Sequence, residues 1–203
     1  MISGTYRVGI DIYTTLWYDP TGDCVRERVA DSDYEDVLVG DATTLEPREV
    51  IDEDGCESCH DVIEFHGSGR VGVNYCIMCH TVGAEDSTSY NTGASIDMPN
   101  MIHKIHSSDS LENELCLAGY SGNSCFDVTF PRQDGGVEAC EACHGDNDEW
   151  KDPSTRGCIT CHDSEDAAAH AEINTTSDGV EACDVCHGDG RDYAADVVHS
   201  WPE

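Results

Sequence analysis

Apolar and polar residues alternate near the start of the chain, where Tyr6, Val8, Ile10 and Ile12 are separated by Arg7, Gly9 and Asp11. Successive side chains of a strand point to opposite faces, so this pattern predicts a strand from Thr5 to Tyr13 with one buried face. Asp19-Pro-Thr-Gly-Asp23 reads as a turn and Val25 to Val29 as a return strand. Two strands alone bury too little to be stable in water. This segment is therefore expected to pack on the rest of the chain, on a neighbouring subunit, or on a barrel outside this sequence. From Cys56 onward the alternation gives way to short helical turns and long irregular links. The clearest helix is Met101-Ile-His-Lys-Ile-His106, which sets His103 and His106 three residues apart on one face. The chain thus divides into an N-terminal β segment, residues 1–50, and a cysteine-rich domain, residues 51–203. No apolar stretch approaches the roughly 18 residues needed to span a bilayer, so no direct membrane span is expected.

Composition complicates this picture. Leu, Ile, Val and Phe together number 36 of 203 residues and the net charge is −32, values typical of chains that stay disordered. The polypeptide is not expected to build a core from its own side chains.

The cysteines resolve the conflict. Five copies of Cys-x-x-Cys-His run through the chain: Cys56 and Cys59 with His60, Cys76 and Cys79 with His80, Cys140 and Cys143 with His144, Cys158 and Cys161 with His162, and Cys183 and Cys186 with His187. That spacing is the signature of covalent haem c attachment: two cysteines add to the vinyl groups of one haem and the adjacent histidine reaches its iron. Five large apolar macrocycles would supply the missing core, and the chain without them is expected not to fold. Setting aside the motif histidines leaves His66, His103, His106, His170 and His199, one for each remaining axial position. If each takes one, every iron is bis-histidine and closed to substrate, as befits an electron carrier rather than an enzyme. His103 and His106 would serve two different haems. His66 stands in His66-Gly-Ser-Gly-Arg70, where glycines permit close backbone approach to a porphyrin. Gly136-Val-Glu-Ala-Cys-Glu-Ala-Cys-His-Gly-Asp146 recurs at Gly179 to Asp189 with two changes, so the third and fifth haems are expected to share a proximal environment.

Competing uses of the cysteines fit less well. Zinc knuckles would have to converge in pairs, which five motifs do not allow, and zinc does not call for a histidine after every second cysteine. A thioredoxin-like motif would occur once, beside a βαβ pattern. Of the other cysteines, Cys116 and Cys125 either pair as a disulfide, as an oxidising compartment favours, or remain two thiols, and Cys24 is left over. The excess of 42 acidic over 10 basic residues repels nucleic acid. It reads as a solvated surface, or as one attracting cationic partners, with Ca²⁺ the candidate ion. Haem attachment takes place outside the cytoplasm, whereas Met1-Ile-Ser-Gly-Thr has no signal-peptide pattern, so the sequence is expected to be an exported chain without its leader.

Together, the first motif, His66-Gly-x-Gly-Arg70, the second motif, Met101 to His106, three further motifs and Val198-His199 resemble a pentahaem domain of the OmcA/MtrC family of outer-membrane decahaem cytochromes. The resemblance implies a multihaem cytochrome c fold, mostly irregular with short α-helices around the haems, and a small N-terminal β segment similar to the last strand of a split barrel. It also implies extracellular electron transfer to partner cytochromes, metal oxides or flavins at the cell surface. The Cys-x₈-Cys spacing of Cys116 and Cys125 is similar to a disulfide that the family places in its barrels, although here it falls within the haem domain. An alternative is a subunit of an extracellular cytochrome filament. A third reading, a multihaem oxidoreductase with one open iron, would resemble enzymes that use Cys-x-x-Cys-Lys, and that motif does not occur here.

Overall fold

The computed structural model describes residues 2–18, 25–47, 51, 53–86, 93–119, 122–130 and 136–200. Cys24, the turn at Asp19 to Asp23 and Trp201 lie outside the described residues. The chain forms two compact units, Met1–Cys79 and His80–Glu203.

The first unit is built on a long antiparallel hairpin, β1 (Gly4–Tyr18) and β2 (Val25–Val39), in register from Gly4 opposite Val39 to Tyr18 opposite Val25. Both strands run well past the predicted limits, because the β-prone residues Thr14, Thr15, Leu16 and Trp17 on one side and Tyr34, Val37 and Leu38 on the other extend the ladder. The predicted face is reversed. Ile10 and Ile12 are each 64% exposed, with Val8 alongside, whereas Arg7 and Asp11 point to the rest of the unit. Arg7 makes a two-point ion pair with Asp36 (2.9 and 2.7 Å), donates to Asn74 (3.2 Å) and lies over the Tyr34 ring. Asp11 pairs with Arg70 and accepts the Tyr75 hydroxyl. Alternation marks a strand, but the covered face is set by what the covering surface offers, and here that surface offers hydrogen-bonding groups. Gly9 is the point of closest approach: a Cβ there would lie 2.2 Å from Met78 Cε and 2.8 Å from the Tyr75 ring.

Two short helices, α1 (Glu53–Glu57) and α2 (Val73–Cys76), carry the first two motifs, joined by a small hairpin of β3 (Glu64–Phe65) and β4 (Arg70–Val71). Glu53 ties the helices together by accepting from the backbone of Val73 (2.8 Å). The hairpin turns through His66, Gly67 and Ser68, all at positive φ (55°, 68° and 57°), with Arg28 donating to the Gly67 carbonyl (2.8 Å). Gly67 therefore serves a tight left-handed turn held by an arginine.

The second unit contains helix α3 (Met98–His106), a hairpin of β5 (Leu115–Gly119) and β6 (Gly122–Phe126), and the short helices α4 (Glu141–His144), α5 (Thr155–Cys158), α6 (Glu165–Ile173), α7 (Asp184–His187) and α8 (Ala195–Val198). Asp97 caps α3 by accepting from Asn100 N (3.1 Å), with Pro99 in the first turn where its missing N–H costs nothing. Cys116 and Cys125 face each other across β5 and β6 and form a disulfide. Asp163 anchors the approach to that hairpin by accepting from the backbone of Glu112 (2.8 Å) and Asn113 (2.9 Å).

Apolar burial is sparse. Among the described residues the buried apolar side chains are Ile63, Val73, Tyr75, Leu115 and Ala194. No described helix is long and apolar enough to cross a membrane.

Candidate functional site

The Cys-x-x-Cys-His motifs share one backbone design. The carbonyl of the first cysteine accepts from the amide of the second, at 3.1 to 3.2 Å in all five, and in four of them also from the histidine amide, at 2.9 to 3.0 Å. A single helical turn thus gathers two sulfurs and an imidazole, the arrangement required to grip one macrocycle at two edges and its metal at the centre. The second cysteine of every motif is exposed, and none of the ten motif cysteines is in a disulfide. Burial is the main cause that pushes the thiols of Cys76, Cys140, Cys158 and Cys183 above their ordinary value. Catalytic and redox cysteines need the opposite, a positive setting that favours thiolate.

Around the repeat the turns match, with Cys140 and Cys183 each at the N-cap of a four-residue helix ending in histidine. The expected common environment ends at the next residue: Gly145 has φ 56°, while Gly188 has φ −70°.

Three motif histidines lie opposite three non-motif histidines. Ring centroids are 6.2 Å apart for His103 and His144, 6.1 Å for His162 and His199, and 6.2 Å for His170 and His187. An imidazole nitrogen sits about 2.0–2.1 Å from a bound metal and roughly 1.1 Å from its ring centroid, so two rings on opposite sides of one iron have centroids about 6.3 Å apart. The observed separations match that spacing. His66 lies at the tip of the β3–β4 turn, and the His106 ring meets Phe130 edge-on at 5.8 Å. His60 follows α1, and the backbone carbonyl of His80 accepts from Met98 N at the start of α3 (3.1 Å).

Hydrogen bonds fix which nitrogen is available. His80 Nδ1 donates to the Ile96 carbonyl (2.7 Å), His106 Nδ1 to Ile102 (2.8 Å), His187 Nδ1 to Tyr193 (2.9 Å) and His199 Nδ1 to Ala195 (2.9 Å). A carbonyl only accepts, so each Nδ1 carries the proton and, in the neutral ring, Nε2 is the unprotonated nitrogen, the one able to ligate a metal. His103 Nδ1 lies 3.1 Å from Thr160 Oγ1. Burial lowers the pKa of His103, with His144 and His106 adding to the effect, and the neutral, metal-binding form is favoured. Sequence reasoning named the histidines and missed these acceptors. Backbone carbonyls carry no residue-type signal, although Thr160, inside a motif and fully buried, carries one.

The late motifs are neighbours. After burial, Cys161 helps push the Cys140 thiol up, and Cys183 acts likewise on Cys158. Glu181, two residues before Cys183, accepts from Thr155 N of α5 (3.0 Å). Among the described residues Glu114, Cys116 and Cys125 bring three potential ligand atoms together, but the two cysteine sulfurs are bonded to each other.

Among known protein families, residues 48–200 match the one described as outer membrane cytochrome MtrC/MtrF-like, domains II/IV. Neither the curated proteins nor the solved structures compared with the chain include a match. The family match covers more than half of the chain and takes in all five motifs and the five other histidines, so this protein belongs to the MtrC/MtrF-like outer membrane cytochromes.

Proposed function

We propose that this chain relays electrons through five bis-histidine c-type haems, between cell-envelope donors and external acceptors, at the cell surface or beyond it. The observation that carries this reading is the set of three histidine pairs at axial-ligand spacing, each joining a motif histidine to a non-motif one. In this reading His103 with His144, His199 with His162, and His170 with His187 each hold one iron, and His66 and His106 fall by elimination to the irons of His60 and His80. When bound, each haem supplies a one-electron iron couple. Paired imidazoles leave no axial position for a substrate, so the protein carries electrons without catalysing a transformation. Nδ1 hydrogen bonds orient the rings and make them better donors to iron. The dense acidity favours the ferric state and so lowers the potentials. The adjacency of the last three motifs supports a relay, and partner cytochromes, metal oxides or flavins are the acceptors that the family supports.

The test is the mass of the purified chain together with its haem absorbance. Five haems per chain are expected, and four or fewer would contradict the ligand set.

A filament subunit is the second reading, favoured by the hairpin. Val8, Ile10, Ile12 and Leu16 form an exposed apolar row on β1, which among the described residues pairs only with β2. In a two-stranded sheet β1 is an edge strand, and a long apolar strand at an edge is a template for another strand. Light scattering of the purified protein separates the two: assemblies dispersed by Ile10→Lys support the filament, and a monomer at all concentrations excludes it.

A further inference from the structure

Thr160 sits between Cys158 and Cys161 and is 0% exposed. Its hydroxyl donates its one proton to the Gly157 carbonyl (2.6 Å). The oxygen can therefore only accept from His103 Nδ1, 3.1 Å away. His103 is thereby held in the tautomer that leaves Nε2 free, and its ring is fixed by a residue of a different motif from the His144 motif it faces. A second bond ties the same stretch of chain to α3: Arg156 of α5, four residues before Thr160, donates to Asp97, the cap of α3 (3.2 Å). The hydroxyl is fully enclosed, so solvent does not compete for it.

We propose that Thr160 is a positioning residue for the distal ligand His103, and that it couples the haem site of Cys140 and Cys143 to that of Cys158 and Cys161. The inference rests on the bis-histidine reading of the His103 and His144 pair. Folding of the fourth motif places the Thr160 hydroxyl, the hydroxyl orients His103, and His103 completes the third site. The bond also polarises the imidazole toward imidazolate, which makes it a stronger ligand and lowers the potential of that one iron.

The test compares Thr160→Val, similar in shape but without an acceptor, with Thr160→Ser, which keeps one. The readouts are the paramagnetic resonance spectrum and the redox titration, with haem counted per chain. Thr160→Val is expected to alter one low-spin signal in five and raise one midpoint, and Thr160→Ser to restore both. A Thr160→Val protein indistinguishable from wild type would overturn the proposal, as would a Thr160→Ser protein as altered as Thr160→Val. Should Thr160→Val fail to load haem, the reduced wild-type protein decides the matter by magnetic resonance with labelled histidine. The His103 Nδ1 proton is expected to exchange slowly with solvent, and rapid exchange would overturn the link. His103→Ala separates the two levels of the argument: a spectrum it leaves unchanged refutes the ligand assignment itself, whereas one changed by His103→Ala and not by Thr160→Val refutes only the positioning role.

Discussion

His103, His170 and His199 each face a motif histidine from a distant part of the chain, and each should be separately removable. Replacing any one with alanine is expected to leave one iron five-coordinate, giving one high-spin signal per chain beside four unchanged low-spin ones. An unaltered spectrum would strike that residue from the ligand set. The three motif histidines and three other histidines that meet in pairs are residues the sequence singles out, because the motif packs its chemistry into five consecutive positions and the remaining histidines equal the motifs in number. The partnerships were not legible, since no period or spacing relates His103 to His144, or His199 to His162. The Nδ1 acceptors were equally hidden, being main-chain carbonyls whose position depends on the path of the chain.

Helix α3 presents both His103 and His106, and its integrity depends on Asp97. Burial pushes that carboxyl up but is outweighed by hydrogen bonds from the side chain and backbone of Asn100 and from Arg156, leaving its pKa below the ordinary value. With the folded value depressed, the stabilisation is complete above the unfolded pKa of about 3.9 and is lost as pH falls through the folded pKa. Asp97→Ala is therefore expected to cost about 1–2 kcal/mol at neutral pH, the upper range for a lost cap, and to flatten the dependence of stability on pH below about 4. Urea titrations of both proteins at neutral and acidic pH measure this, and equal losses at the two pH values would contradict it. This cap was readable in Asp97-Met-Pro99 once the helix was placed. The face of β1 was not, since alternation alone gives Tyr6, Val8, Ile10 and Ile12 the better claim to burial. Hydrogen-bonding groups at Asn74, Tyr75 and Arg70, together with the close seat at Gly9, reverse it.

At the scale of the whole molecule, a chain of 203 residues with a charge of −32 and five buried apolar side chains among those described has little that would hold it together alone. Removal of the haems, or expression without the attachment machinery, is expected to give a far-ultraviolet circular dichroism spectrum of an unfolded chain; a cooperative melt of the haem-free protein would contradict this. The deficit was evident from composition, and the structure adds that what burial exists lies mainly in small clusters beside the second motif and the disulfide hairpin. If the haems supply the missing core, cofactor ligation and chain folding are one event, and the ligation state of the irons separates an electron relay from an enzyme. An electron paramagnetic resonance spectrum of the fully oxidised protein, with haem quantified on the same sample, tests it most directly. Five haems with low-spin signals alone are predicted for a closed electron relay, and a high-spin signal approaching one per chain would contradict it by revealing an open iron.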